Sequence, residues 1–326
     1  MKRYTVVAIS AALAIVCARA SAQSYPDRPV TMLVPFAAGG PLDLTARVLG
    51  EHMARTLGQP LIIENLSGGG GTLATQRVAK SSPDGHLLMI QQPALAANVT
   101  LFPNAPFNPE KDLVGIALLN QSPLFLLAGK STNAKSMPEL VSWMKRNDKK
   151  IRFAHAGVGS LSHLCAALFA NAVGVTATMI PYRGGTPAIS DTMAGHTDLY
   201  CSSAQLAISQ IKAGTLAGIA VTADARMALV GEVPTTAEVG FGKVNVTFWQ
   251  ALFAAANTPS SIVDKLGGAV RAALSDPAVQ KRFEDVGMTV YPPADRTSEP
   301  TNALLRREIA KWAEVIRSNN IQASSQ

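Results

Sequence analysis

Residues 30–57 read VTMLVPFAAGGPLDLTARVLGEHMARTL, and this stretch decides the fold class. Val30 to Val34 is a short apolar run of strand length, followed by a loop of small residues. From there Leu42, Ala46, Leu49, Met53 and Leu57 recur at spacings of four, three, four and four, which is one face of an α-helix. Pro41 suits the first helical position and Gly58 suits the stop. A strand, a glycine-bearing turn and an amphipathic helix in that order form the repeating unit of a parallel α/β sheet.

The same grammar extends outward. Strands are expected at Leu61–Glu64 and Leu87–Ile90, with a short helix ending near Lys80 between them. A second set of units is expected to begin near Leu124. Its strands are Ile151–Ala154, Thr178–Pro181, Asp198–Cys201 and Leu216–Thr222, and one of its helices runs Leu161–Val173 and stops at Gly174. Thr186 reads as a helix N-cap with Pro187 at the first helical position and Gly195 at the end. The C-terminal stripe Leu305, Ile309, Trp312 and Ile316 reads as packing. No fixed-period repeat and no long Pro/Gly/Ser linker divides the chain, so two lobes would be joined by short crossovers.

Four turns between strand and helix are rich in small residues: 35–41 (PFAAGGP), 67–72 (SGGGGT), 157–160 (GVGS) and 183–186 (RGGT). In parallel α/β sheets such turns lie at the carboxyl ends of the strands, where ligands bind. Free N–H groups at a helix start, helped by the helix dipole, favour an anion, and a carboxylate is the simplest. Enzyme motifs fail by comparison. No Gly-Lys-Ser/Thr follows the glycine run, no G-x-G-x-x-G opens the first unit, and Ser160 sits outside a G-x-S-x-G elbow. The spacing of His155, His163 and Cys165 matches no metal framework. Asp43, in the first helical turn, either complements the dipole and caps the helix, or holds the first loop or meets a polar ligand group.

Composition narrows the classes further. Apolar residues make up 48% and charged residues 16% of 326, against about 25% charged in an average domain, so disorder is excluded. Net charge is +7, but Lys2, Arg3 and Arg19 lie in an acid-free leader. The remainder carries 26 basic and 22 acidic residues, and no basic run marks a nucleic-acid partner. Residues 1–22 read as a secretory signal peptide: a basic start, an apolar run from Val6 to Val16, and Ala20-Ser21-Ala22 before a cut at Gln23. Val16 is the wrong neighbour for a lipid anchor on Cys17. Outside the cytoplasm Cys165 and Cys201 could pair, but the expectation is two buried free thiols.

These residues together resemble the Bug-type solute receptors, the extracytoplasmic binding proteins of tripartite tricarboxylate transporters. The carrying motifs are Tyr25-Pro-Asp-Arg-Pro29, Val34 to Gly40 with Asp43, Gly58-Gln-Pro60, Glu64-Asn65 with the glycine loop, and Pro83-Asp-Gly85. They continue with Ala156 to Ser160 and His163-Leu164, Pro181 to Gly185, Pro234 to Gly240, Trp249 and Thr258-Pro259. The resemblance runs from Tyr25 to about Ile316.

The resemblance implies an α/β, two-lobed Venus-flytrap fold of type II-like periplasmic binding proteins, each lobe a mainly parallel sheet flanked by helices. Lobe 1 would combine 24–123 with 250–326, and lobe 2 would be 124–249, with the ligand between them. It implies a monomeric, non-enzymatic periplasmic receptor without cofactor or metal. Such a receptor takes an aliphatic di- or tricarboxylate, an amino acid or an aromatic acid to membrane transporter subunits. First-lobe ligand residues carried over are Phe36, Ala37, Ala38, Gly39, Gly40, Asp43, Ser67, Gly70, Thr72 and Gln92. Second-lobe residues are Gly157, Gly159, Ser160, His163, Tyr182, Arg183 and Gly184. His155 stands where a small hydroxyl residue is common, Arg183 replaces the commoner lysine, and Gly69 replaces an alanine. Two other functions share parts of this pattern: a sensor subunit using the same cleft, and a secreted hydrolase using Ser160 or Cys201.

Overall fold

The computed structural model describes residues 25–323, so the expected signal segment 1–22 lies outside the described residues. The chain begins with β1 (Val30–Val34), α1 (Pro41–Leu57), β2 (Leu61–Asn65), a 3₁₀ turn (Gly69–Gly71), α2 (Thr72–Ala79), β3 (Leu87–Gln91), α3 (Ala94–Leu101) and α4 (Pro109–Asp112). The 16-residue β4 (Leu113–Ala128) follows. Then come α5 (Met137–Arg146), β5 (Ile151–His155), α6 (Leu161–Val173), β6 (Ala177–Pro181), α7 (Gly185–Ala194), β7 (Leu199–Ser203), α8 (Ala204–Lys212) and β8 (Ala217–Val221). The chain returns through β9 (Thr247–Ala255) to α9 (Ser260–Ser275), α10 (Pro277–Glu284), β10 (Thr289–Val290) and α11 (Ser298–Ser318).

Two parallel triplets sit at the two ends of the sheet path. β2-β1-β3 pair in parallel at one end, and β6-β5-β7 pair in parallel at the other. Between them run β9 and β4, antiparallel to each other and to their outer neighbours. The sheet is therefore mixed, because the chain reverses direction each time it crosses between the triplets. β4 is the long link: Leu113 to Pro123 pair with β9, while Leu124 to Ala128 pair with β7 and β8. The expected start of the second unit at Leu124 thus falls inside a strand. Its polar centre, Asn120-Gln121-Ser122-Pro123, hides the continuity that the pairing supplies.

Helix α1 covers the first triplet with the face read from its periodicity: Leu42, Ala46, Leu49 and Met53 are all buried. Its αL terminus at Gly58 returns an amide to Ala54. Full burial of each large side chain is worth about 1.5–3 kcal/mol. The main core spans both triplets, from Met32 and Phe253 to Phe153 and Phe169. A second cluster lies under α7 and α8, around Phe125, Leu127 and Tyr200. Helix α11 is pinned to the crossover strand β9 by a buried carboxylate. Glu308 Oε2 accepts from the indoles of Trp249 at 3.1 Å and Trp312 at 3.0 Å, which satisfies three polar groups at once.

Two sequence expectations need correction. Cys165 on α6 and Cys201 on β7 form a disulfide, their Cα atoms 6.1 Å apart. Packing of α6 across β7 brings them within bridging range, which sequence spacing cannot show. Helix α7 starts at Gly185 with Gly184 as its cap, not at Pro187 with Thr186 as cap. The reason is a contact with the first loop: a Cβ on Gly184 would lie 2.9 Å from the Ala37 amide nitrogen. The Thr186 hydroxyl donates instead across to the Ala38 carbonyl at 3.3 Å.

Candidate functional site

Four helices start at one cleft. Its walls are Gly40, Pro41, Leu42 and Asp43 from the start of α1, Ser160, Leu161 and Ser162 from α6, Gly185 from α7, and the α8 cap Ser203. Phe36, Leu124, Tyr200 and Phe248 supply apolar and aromatic surface, and the space measures about 460 Å³ including its mouth. Helices α1, α7 and α8 have no side-chain cap, so their first amides are not spent on their own side chains. The Ser203 hydroxyl is buried and has no hydrogen-bond partner.

The cleft offers no cationic side chain. Its one charged lining residue is Asp43, and both carboxylate oxygens are occupied. Oδ2 accepts from the Gly39 amide and Arg47 Nε, each at 2.9 Å. Oδ1 accepts from Arg47 Nη2 at 3.0 Å and Asn65 Nδ2 at 3.1 Å. Burial pushes this carboxyl up, but the bonds from Arg47, Gly39 and Asn65 outweigh it and hold the group below its ordinary pKa. Asp43 therefore holds the first loop, one of the roles its position suggests. Recognition of an anion here falls to amides, hydroxyls and helix dipoles.

On the opposite wall Ser160 caps α6, accepting from the His163 amide at 3.3 Å, and shares a 3.0 Å hydrogen bond with Ser162. Ser162 also accepts from the Ala156 amide at 2.8 Å. His163 turns under the loop, where its Nδ1 accepts from the Gly159 amide at 3.4 Å. His155 is fully buried against it, ring centroids 4.6 Å apart and ring planes tilted by 46°. Desolvation, then the charge of His163, lowers His155 to about 3, and desolvation lowers His163 to about 4. Both are neutral at pH 7, and His155 lines neither the cleft nor the chamber beside it. Ser160 and His163 form no hydroxyl–imidazole bond and Cys201 is in the disulfide, so neither nucleophile pair considered for a hydrolase is assembled.

The sequence-predicted residues divide by place. Phe36, Ala37, Gly40, Asp43, Gln92 and Ser160 line the cleft. Gly70, Gly157, Tyr182 and Arg183 line a second chamber that shares Phe36 and Ala156 with it. Ala38, Gly39, Gly184 and Gly159 lie at the seam where loops from the two ends of the sheet touch. There the Ala37 amide donates to the Arg183 carbonyl at 3.0 Å. Gly70 and Gly159 are in the left-handed region, and a Cβ would lie 2.1 Å from the Val158 carbonyl oxygen or 2.2 Å from Asn98 Oδ1; only glycine allows these approaches. Ser67, Thr72 and His163 line neither chamber; Thr72 faces a separate groove with Phe102 and Phe107. Sequence reasoning missed Ser162, Tyr200, Ser203 and Phe248. Ser203 ends a strand just before a helix, the same grammar as the other turns, but without the glycines that drew attention to them.

A mixed α/β sheet with two parallel ends, and a cleft where helix starts from both ends converge, define a solute-binding receptor with the periplasmic-binding-protein fold. The chain belongs to the tripartite tricarboxylate transporter receptor family, whose profile matches residues 45–321. It is 36% identical to a protein encoded in the ttuE-ttuC' intergenic region of Agrobacterium vitis, over 90% of this chain and 85% of that one. It is 32% identical to BugT of Bordetella pertussis, over 96% and 95%. Among solved structures it resembles the periplasmic binding protein BugD, with TM-score 0.88, 34% identity and coverage of 91% and 99%. MatC from Rhodopseudomonas palustris, solved with bound malate, has TM-score 0.87, 38% identity and coverage of 90% and 100%.

Proposed function

We propose that this receptor works in the periplasm, after removal of residues 1–22. There it captures a small organic carboxylate in the cleft and presents it to the membrane subunits of a tripartite tricarboxylate-type transporter. The observation that carries the carboxylate is the convergence of four helix starts, three without side-chain caps, on a cleft with no free charged side chain and an unpartnered buried Ser203 hydroxyl. Such a site binds an anion through oriented donors. MatC, solved with malate, and an R. palustris neighbour solved with adipate at 27% identity support the same ligand class.

Capture requires the ends of the sheet to move apart. We assign 24–123 with 250–326 to one lobe and 124–249 to the other. The hinge lies where β4 changes partners after Pro123, and closure brings together the Ala37–Arg183 and Gly70–Val158 contacts. No bond is made or broken. The ligand is held by Phe36, Ala37, Gly40, Gln92 and Ser160, with Ser162 and Ser203 added from the structure.

Thermal unfolding of the exported, refolded chain against aliphatic mono-, di- and tricarboxylates, acidic amino acids and aromatic acids tests this. A true ligand at 100 times its Kd adds about 2.7 kcal/mol of stability, and Ser203→Ala weakens the hit several-fold. Refolding strips any carried-over ligand, so no shift with any carboxylate overturns the reading.

A further inference from the structure

We propose that the end of the second lobe away from the cleft is a docking face for an anionic phospholipid surface, on which the receptor rests reversibly and largely by charge. This lies beyond the reading of the cleft and does not depend on which ligand the cleft takes. The first observation is where the charge sits. After residue 22 the chain carries 26 basic and 22 acidic residues. Residues 130–152 hold seven of the basic and two of the acidic ones, a net of +5. The rest of that chain holds 19 and 20, a net of −1. The positive charge of the exported chain is thus the charge of one segment.

Six of the seven cations, Lys130, Lys135, Lys145, Arg146, Lys149 and Lys150, are exposed, and none forms an ion pair among the described residues. The seventh, Arg152, is spent on Asp198 at 2.6 Å. The two acids are turned to the backbone rather than to these cations. Asp148 Oδ1 accepts from the Thr176 amide at 2.7 Å, and Glu139 Oε2 from the Lys135 amide at 2.8 Å. The fold gathers the cations on one rim. Lys130 follows the end of β4, and Lys149 and Lys150 precede β5. Ala128 pairs with Leu199, and Leu199 with Phe153. Backbone bonds close this edge: the Gly129 amide donates to the Asp198 carbonyl and the Asp198 amide to the Arg152 carbonyl, each at 2.8 Å. Lys145 and Arg146 form the last turn of α5, just before it. Lys135 and Arg146 line one groove with Trp143.

The cleft lies at the other end of β5, beyond Ala156, about 20 Å from Lys150 at the rise of an extended strand. Contact at the rim therefore leaves the cleft open. Separate, strongly hydrated lysine charges along a rim form no fork or pocket for one group. They match a surface whose own charges are many and mobile, and such a surface strengthens binding roughly fivefold for each Lys or Arg near it. Trp143 is half-buried beside them, and an indole settles at headgroup level.

The test is co-sedimentation of the exported chain with vesicles of equal parts phosphatidylglycerol and phosphatidylcholine, and with vesicles of phosphatidylcholine alone. Wild type should bind only the anionic vesicles and should be released by high salt. Lys145→Gln/Arg146→Gln/Lys150→Gln should weaken that binding about hundredfold. Arg282→Gln/Arg307→Gln/Arg317→Gln removes three exposed cations on α10 and α11 instead, and should change it less than about threefold. The two variants have the same net charge, so they separate this face from net charge. All six positions are exposed, so both variants should fold and keep the wild-type affinity for a cleft ligand. Wild-type binding that is equal on both vesicles, absent from both, or lost equally in the two variants would overturn the proposal. So would binding only to vesicles that carry the transporter's membrane subunits, which would assign the face to an acidic protein segment. None of these outcomes bears on the cleft, which the carboxylate panel tests separately.

Discussion

The loops facing each other across the cleft are held by opposite chemistries. At the start of α1 the loop is braced by charge: Asp43 grips the Gly39 amide, Asn65 and a bidentate Arg47. At the start of α6 it is braced without charge, by the Ser160–Ser162 hydroxyl pair, the tilted pair of neutral histidines and the Cys165–Cys201 disulfide. Burial explains the difference. The Arg47 side chain is 54% exposed, so the ionic brace keeps contact with water. His155 at the end of β5 and His163 on α6 are almost wholly buried, and an ion there would pay a desolvation cost of several kcal/mol. A helix start can be aimed by either device, and the surroundings decide which.

The largest effect should come from the seam where the two loops meet. Gly159→Val places side-chain atoms into Asn98 and forces a non-glycine residue into a left-handed conformation, a strain of about 1–3 kcal/mol before any collision. Ligand affinity should fall about hundredfold or more, while Gly40→Ala, whose nearest neighbour is the Ala37 carbonyl at 3.4 Å, should change it only a few-fold. Calorimetry on both variants checks this. Normal binding by Gly159→Val would mean that the touching loops are not the ligand-bound arrangement.

Next in its effect on affinity is the covalent half of the comparison. The disulfide closes a loop with a sequence separation of 36, for which chain entropy predicts about 3–4 kcal/mol of stability. Denaturant titration with and without reductant should show a loss of that order, with Cys165→Ala/Cys201→Ala insensitive to reductant. Because Cys165 lies one turn beyond Ser162 and Cys201 lines the cleft, affinity should fall with it. A loss of stability with unchanged affinity would reduce the bridge to a staple and leave the hydroxyls as the real brace.

How far this was legible in the sequence differs between the same two halves. Periodicity, Pro41 and Gly58 placed β1 and α1 at their observed ends, because local rules decide an isolated βα unit. Glycine marked the seam and the second chamber because close backbone approach leaves a compositional trace. Ser203 and Tyr200 left none: they reach the cleft only because antiparallel β4 carries β7 beside it. The disulfide and the histidine contact are also products of α6 packing on β5 and β7, and no spacing along the chain encodes them. Of the 16-residue β4 only a start of the second set of units near Leu124 was legible, because Asn120 to Pro123 interrupt its apolar pattern. Only pairing with β9 makes that polar stretch a strand.

The smallest effect is the sharpest test of the contrast between charged and neutral braces, because pH separates them. His155 and His163 have folded pKa values near 3 and 4, below the ordinary value of about 6.5. Below pH 6.5 the unfolded chain therefore binds protons that the fold refuses. Stability should fall as pH drops from about 6.5 toward 4, by up to ~1.4 kcal/mol per pH unit for each ring. Asp43 behaves differently. Its pKa is lowered from the ordinary carboxylate value, so its contribution is intact above that value and is lost only in stronger acid. Between pH 7 and 5, His155→Leu should remove about 2 kcal/mol of the wild-type loss, the integrated effect of one ring over the window it titrates. Asp43→Asn should lower stability by the same amount at both pH values and leave the slope unchanged. Chemical denaturation at the two pH values measures both. If His155→Leu keeps the wild-type slope while Asp43→Asn flattens it, the assignment of charged and neutral braces is reversed.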